Sequence, residues 1–226
     1  MSRMWVSRTL IFVVLTASAL SWDLFSKSVV FRDLGYPGAD PQPAAQGAHT
    51  IFARPQGREG ESVPYLDGWM TFRLLTSFNR GALWGVGQKY TWLFAALSLA
   101  AVVGIPTWLF AFHAARSLWL TAALSLILGG TLGNLYDRMG LHGCVDGSGD
   151  TMTAVRDFLL FTFGKFHWPV FNFADVFLVT GASMLVLHSL LPARPNAPTE
   201  APAVIASLDS SSSAQPQKNP PQPQAG

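Results

Sequence analysis

Four long apolar stretches, separated by polar segments, dominate the pattern of the chain. A helix that crosses a membrane needs about 20 predominantly apolar residues. The stretches that approach or reach this length are Thr9 to Phe25, Thr91 to Phe112, Leu118 to Leu135 and Val170 to Leu191. The pattern predicts an all-α membrane protein with four transmembrane helices, in one folded domain that covers residues 1–191.

Small residues and a proline interrupt two of the stretches. The second contains Gly104 and Pro106, so we expect a kink at which neighbouring helices satisfy the freed carbonyl groups. The third carries Gly129, Gly130 and Gly133, and such small residues let membrane helices approach closely. We therefore expect the third helix to pack tightly against its neighbours.

Two polar segments, residues 32–88 and 139–169, lie between the stretches. The part from Gly35 to Gly60 is rich in Gly, Pro, Ala and Gln and predicts a long loop. The residues from Trp69 to Thr76 alternate in part between apolar and polar side chains, which indicates a short strand. Phe158 to Trp168 is aromatic, as segments at the headgroup level of a membrane often are. Together they predict a small extracytoplasmic lid of β-strand and loop with an interfacial aromatic segment.

Residues 192–226 consist mainly of Pro, Ala, Ser and Gln. A segment of this composition buries too little apolar surface to offset its ordering entropy. We expect a disordered C-terminal tail without a catalytic role.

The composition is also typical of a membrane protein, since 50% of the residues are hydrophobic and only 12% are charged.

The first stretch has a second interpretation as a cleavable signal peptide, because Arg3 and Arg8 precede it and Ala17 to Ala19 resembles a cleavage site. Asp23 and Lys27 favour a functional helix end instead. Sequencing the mature N-terminus distinguishes the two.

Four crossings bring the polar helix ends to one side of the membrane, which carries Asp23, Asp137 and Asp175. Of the 15 Lys and Arg residues, ten lie on this side, against the positive-inside rule. We nevertheless place it outside, because Arg3 and Arg8 flank the first helix and because several cations on the polar side are candidates for the site. Both termini are then cytoplasmic.

Two of these ends repeat one pattern, an Asn followed three residues later by an Asp. Asn134 and Asp137 form the first pair, and Asn172 and Asp175 the second. Residues at this spacing share a helical face. An ionised carboxylate beside hydrocarbon is costly, so two such sites on one side of a membrane indicate chemistry. The pattern favours a membrane-embedded aspartic peptidase.

The chain has one cysteine, Cys144, so it forms no intrachain disulfide. His142, Cys144 and Asp146 alternate and are possible metal ligands, but mixed ligands in a glycine-flanked loop are a weak metal signal. We interpret this segment as a solvated loop and expect no metal and no cofactor.

Five segments, in order, resemble the motifs of lipoprotein signal peptidase, also called signal peptidase II, over roughly residues 9–191. The Gly129 to Arg138 segment fits the pattern Gly-Gly-x-x-Gly-Asn-x-x-Asp-Arg, the most specific of the set. The other four are Asp23 to Lys27, Asn79 to Gly85, Val155 to Phe158, and Phe171 to Asp175. The resemblance implies an aspartic endopeptidase.

The resemblance also implies which residues act. Asp157 and Asp175, 18 residues apart, match the catalytic pair. The usual family spacing after Asp137 and Arg138 selects Asp146 instead, which stays an alternative to Asp157. We favour Asp157 because Phe and an apolar run follow it.

Supporting or substrate-binding roles fall on eight further residues. Two carboxyl groups in a partly desolvated site share a proton, so one acts as base and the other as acid. Asp23 with Lys27 also fits a simple helix-end ion pair, and Arg138 a snorkelling anchor. The supporting residues are Asp23, Lys27, Asn79, Gly81, Asn134, Asp137, Arg138 and Asn172.

By resemblance, the substrate is a diacylglyceryl-modified prolipoprotein, cleaved before its lipidated cysteine in the bacterial cytoplasmic (inner) membrane. We expect contact with membrane lipids, no nucleic-acid partner and a monomer. The alternative is a small four-helix transporter or assembly subunit whose intramembrane carboxylates bind ions. A presenilin-type protease fits less well, because Gly147 to Asp150 lies in a polar loop. A Ser-Lys peptidase is disfavoured, because Ser26 and Lys27 are adjacent and share no helical face.

Overall fold

The computed structural model describes residues 3–37, 60–81, 91–112 and 117–190. In chain order the elements are helix α1 (Arg3–Leu34), strand β1 (Met70–Asn79), helix α2 (Thr91–Pro106), a π-helical turn (Thr107–Ala111), helix α3 (Leu118–Arg138), strands β2 (Val155–Phe163) and β3 (Phe166–His167), and helix α4 (Phe173–Leu190). Four of these segments are long and apolar enough to cross a membrane: Trp5–Leu34, Thr91–Ala111, Leu118–Arg138 and Phe173–Leu190. The prediction of four transmembrane helices with a small β lid is confirmed. The long loop lies largely, and the tail wholly, outside the described residues.

Helix α3 is central and packs against α1, α2 and α4. Its N-terminus is capped by Ser117, whose side chain accepts a hydrogen bond from the Leu120 backbone N–H at 3.3 Å. Its glycines allow close approach, because a Cβ at Gly129 would lie 2.7 Å from the Ala19 Cβ of α1. Helix α2 reaches Pro106 and continues as the π-helical turn, where the proline supplies no backbone donor.

Helix α1 continues to Leu34, beyond the predicted end at Phe25. Asp23 and Lys27 therefore lie inside a helix, and neither side chain is exposed. A buried charge is tolerated only where partners surround it, and those partners come from the other helices. The last turns of α1 instead pack Val30, Phe31 and Leu34 against the sheet.

The three strands form one antiparallel sheet in the order β1, β2, β3. The predicted strand at Trp69 to Thr76 corresponds to β1. The register shifts between Leu74 and Ser77, after which Ser77 lies opposite Asp157. Such bulges bend a strand and redirect its side chains. The aromatic segment that we predicted at the interface forms β2 and β3, and its position at the headgroup level stays a prediction.

Candidate active site

A buried charge cluster links α1 to α3. The Lys27 ammonium donates to Asp23 Oδ2 at 2.7 Å and to Asn134 Oδ1 at 3.1 Å. It also lies 3.1 Å from Asp137 Oδ2. The side chains of Lys27, Asp23 and Asp137 are completely buried. Because a buried cation is costly without anions, these contacts fix α1 against α3 in one register.

Asp23 also joins α1 to the start of α4, because its Oδ1 accepts a hydrogen bond from the Ala174 backbone N–H at 2.8 Å. Gly133 of α3 faces the same carboxylate, and a Cβ at this position would overlap Asp23 Oδ2. The missing side chain at Gly133 therefore leaves room for the Asp23 carboxylate.

Asp137 holds the strand that carries the first candidate catalytic aspartate. Its Oδ2 accepts from the Arg156 backbone N–H at 3.0 Å, and its Oδ1 accepts from Arg156 Nε at 3.0 Å. Arg156 Nη2 lies 2.9 Å from the same Oδ1. Arg156 was not among the site residues predicted from the sequence. The available signal was a lone cation beside Asp157 in an apolar run.

Asp157, in β2, is almost fully buried, with 2% of its surface exposed. Its Oδ1 accepts from Asn172 Nδ2 at 2.6 Å, and its Oδ2 accepts from Asn79 Nδ2 at 3.0 Å. Burial, together with the nearby Asp175 charge, raises the pKa of Asp157 from 3.8 to about 7, although the two amide hydrogen bonds and Lys27 oppose the shift. This carboxyl group can therefore hold a proton near neutral pH.

Asp175 lies in the first turn of α4 and is half-buried. Its Oδ1 accepts from Asn134 Nδ2 at 3.0 Å, and its Oδ2 accepts from the Asn172 backbone N–H at 3.2 Å. Anions are stabilised at helix N-termini by the aligned peptide dipoles. This second carboxylate is thus less buried than Asp157 and is held by donors from two elements.

Two asparagines connect the carboxyl groups. Asn172 Nδ2 donates to both Asp157 and Asn134 Oδ1, the latter at 3.2 Å. Asn134 in turn donates to Asp175. A continuous hydrogen-bonded chain therefore runs from Asp157 through Asn172 and Asn134 to Asp175.

Asn79, Gly81 and Arg138 form one edge of the site. Asn79 Oδ1 accepts from the Gly81 backbone N–H at 2.9 Å, which orients the amide toward Asp157. Arg138 Nη2 donates to the Gly81 carbonyl at 3.5 Å. Its guanidinium lies 5.3 Å from the centroid of the Phe94 ring, a cation–π distance. The structure thus brings all ten sequence-predicted residues into one connected region.

Asp146, the alternative to Asp157, lies in the loop before β2. Its Oδ1 accepts from the backbone N–H groups of Ser148 and Asp150 at 2.9 and 3.1 Å, which stabilises the loop itself. His142 Nδ1 accepts from the Cys144 backbone N–H at 3.0 Å. Burial lowers the pKa of His142 and raises that of Cys144. Within the described ranges, no three His, Cys, Asp or Glu side chains group as metal ligands.

The comparisons with known proteins point to one family. The family model described as signal peptidase (SPase) II matches residues 15–191. A lipoprotein signal peptidase of Rhodopirellula baltica is 38% identical over 184 residues, 81% of this chain and 73% of that protein. One of Bacillus pumilus is 36% identical over 132 residues, 58% of this chain and 76% of that protein. A bacterial membrane enzyme solved by the in meso method at 2.3 Å resolution has a TM-score of 0.52 at 18% identity, covering 92% of this chain and 94% of that one. This structural likeness shows the fold.

Proposed function

Since the chain belongs to the signal peptidase (SPase) II family, whose activity is removal of signal peptides from prolipoproteins, we propose that it performs this cleavage as an aspartic endopeptidase. Asp157 and Asp175 are the catalytic pair. The observation that carries the proposal is the hydrogen-bonded chain that joins these carboxyl groups through Asn172 and Asn134. The transporter alternative has no support from the comparisons.

The environments of the two carboxyl groups suit different roles. Asp157 is buried and holds a proton near neutral pH, so it donates to the carbonyl oxygen of the scissile peptide. Asp175, more open and at a helix N-terminus, takes a proton from water as the water oxygen attacks the carbonyl carbon. The resulting diol then collapses: the C–N bond breaks and the departing amine takes a proton from Asp175. The proton of one diol hydroxyl returns to Asp157, so both carboxyl groups regain their starting states.

The remaining residues fix this geometry. Lys27 draws Asp23, Asn134 and Asp137 together, and Arg156 holds β2 against α3. Groups that orient catalytic side chains in this way need not contact the substrate. Arg138 and Gly81 lie at the edge, where a substrate backbone can approach.

The substrate that fits is a prolipoprotein carrying diacylglyceryl on the cysteine after the scissile bond. The site lies where apolar helices meet a polar lid, so the lipid remains in the bilayer while the peptide enters the site. We propose an extracytoplasmic active site in a bacterial cytoplasmic membrane, because Arg3 and Arg8 flank the first helix on the opposite side. We also propose that the protein acts as a monomer.

The decisive experiment is a cleavage assay with purified protein in detergent and a lipidated prolipoprotein, with products identified by mass spectrometry. We expect cleavage immediately before the lipidated cysteine. A precursor with that cysteine replaced by alanine is the matched control and should stay intact. If the lipidated precursor also stays intact, or if both Asp→Asn variants cleave it, the proposal is wrong.

A further inference from the structure

A cavity of about 330 Å³ lies between α1, the sheet and the start of α4. Its lining includes Trp22, Phe25 and Val29 of α1, with Phe72 of β1, Phe158 of β2 and Phe173 of α4. Its volume lies at the lower end of the range of about 300–1,000 Å³ for small-molecule sites.

The cavity lies beside the active site and does not include the catalytic pair. Phe158 lines it, whereas the preceding residue, Asp157, faces the asparagine chain. Leu159, the next residue of β2, lines the cavity as well, whereas neither Asp157 nor Asp175 does, so the cavity is separate from the catalytic pair. The same separation holds on α1, where Ser26 lines the cavity and Lys27 faces the charge cluster.

The chemistry of the lining favours hydrocarbon. Ser26 supplies one of its few polar side-chain atoms, and that hydroxyl already donates to the Asp23 carbonyl at 2.9 Å. A buried water needs two to four polar partners, which these walls do not offer. A hydrocarbon chain, in contrast, gains dispersion contacts with every aromatic wall.

The walls continue onto the membrane-facing surface of α1. Trp22, Phe25 and Val29 belong to the span Trp5–Leu34. Trp22 is 45% exposed and Phe25 is 53% exposed, so these side chains contribute both to the cavity and to the outer surface. A lipid chain in the bilayer can therefore enter without passing Asp157 or Asp175.

We propose that this cavity is a binding site for one acyl chain of a bilayer phospholipid. The bound chain packs against Phe158 and Leu159 of β2 and supports the strand that carries Asp157. The phospholipid is a resident ligand, distinct from the substrate. The proposal does not depend on the protease assignment.

Native mass spectrometry of detergent-purified protein tests the site, with palmitoyl-oleoyl-phosphatidylglycerol as the probe. Ser26→Phe and Val29→Phe place a ring in the cavity, and Val13→Phe is the control, because Val13 is a 54% exposed position elsewhere on α1. We expect wild type and Val13→Phe to retain one lipid, and both filling variants to retain at least tenfold less. Equal retention in all four proteins overturns the proposal.

Photo-crosslinking of the unmodified protein covers the case in which a filling variant does not fold. The probe is the same phospholipid with a diazirine in its acyl chain, in nanodiscs. Crosslinks on Phe72 and Phe158, both in the sheet, are expected, and crosslinks confined to the outer helix surfaces contradict the site.

The substrate's own lipid is the competing occupant. In an Asp175→Asn background, which is expected to prevent turnover, a lipidated precursor should leave the retained phospholipid in place. If the precursor displaces the phospholipid from the protein, the cavity belongs to the substrate and the proposal is wrong. The retained-lipid readout requires no cleavage, so it separates this outcome from a failure of the proposed activity.

Discussion

Asn172 and Asp175 cap the N-terminus of α4 by two reciprocal hydrogen bonds. Asn172 Oδ1 accepts from the Asp175 backbone N–H at 3.0 Å, and Asp175 Oδ2 accepts from the Asn172 backbone N–H at 3.2 Å. This reciprocal arrangement is a capping box at the N-terminus of α4. The same two side chains belong to the chain that reaches Asp157, so the fold of the helix end and the geometry of the site are one structure.

The first prediction concerns the catalytic pair. Asp157→Asn and Asp175→Asn should each lower kcat by at least about 100-fold, because each removes one partner of an acid-base pair. Asp146→Asn is the matched control and should cleave as wild type does, since its carboxylate only stabilises a loop. The measurement is initial cleavage rate in detergent. An active Asp157→Asn beside an inactive Asp146→Asn would show that the pair is wrongly assigned.

The second prediction is a pH dependence of cleavage. The pKa of Asp157 is raised to about 7, so its proton is present below that pH and lost above it. If Asp157 is the acid, kcat/KM should fall as the pH rises through about 7. A rate that stays constant from pH 6 to pH 9 would remove Asp157 from the acid role.

The third prediction follows from the same shift and concerns stability. Between pH 3.8 and about 7 the unfolded chain releases the Asp157 proton while the folded protein keeps it. The unfolded state then binds fewer protons, so the free energy of unfolding falls as the pH rises through this window. Asp157→Asn should abolish this contribution. Thermal midpoints at pH 5 and pH 8 should differ less in the variant than in wild type, and an equal difference contradicts the shift.

The repeated Asn and Asp pattern made the center of this site predictable from sequence. Asn134, Asn172 and Asp175 meet as helix spacing and the four crossings suggest. The bounds of α1 were harder to predict, because Asp23 and Lys27 resemble a helix end until their partners on α3 and α4 are known.

Long-range strand pairing was the other feature that could not be predicted from the sequence. No local pattern in the sequence places β1 opposite β2, so the contact of Asn79 with Asp157, 78 residues away, rested on resemblance alone. Arg156 was missed for the same reason, because its partner Asp137 lies on α3.

Asn172, which we interpreted as a site residue, also caps α4, so Asn172→Ala should lower helix stability by about 0.5–2 kcal/mol as well as lower activity.

The fourth prediction tests the buried pair that holds β2. Arg156→Met should lower the free energy of unfolding by about 3–5 kcal/mol, because Asp137 loses a partner with both carboxylate oxygens buried. Arg32→Met is the control, since Arg32 pairs with Asp33 while 67% exposed and such pairs contribute at most about 1 kcal/mol. Thermal unfolding in detergent compares them. Equal losses in the two variants would mean that the Arg156 pair does not brace the strand.

The last prediction separates helix packing from helix propensity. A Cβ at Gly130 of α3 would overlap the Ala174 backbone carbonyl of α4, whereas one at Gly104 of α2 meets nothing within 4 Å. Gly130→Ala should therefore push α4 from α3 and cost about 1–3 kcal/mol, as overpacking does. Because the Ala174 backbone N–H also donates to the Asp23 carboxylate, cleavage should fall with stability. Gly104→Ala should leave both unchanged or raise stability slightly, since alanine favours helix more than glycine does. The two variants need thermal unfolding and the cleavage assay side by side. If Gly104→Ala is the more damaging change, the close contact of α3 with α4 is not what positions the site.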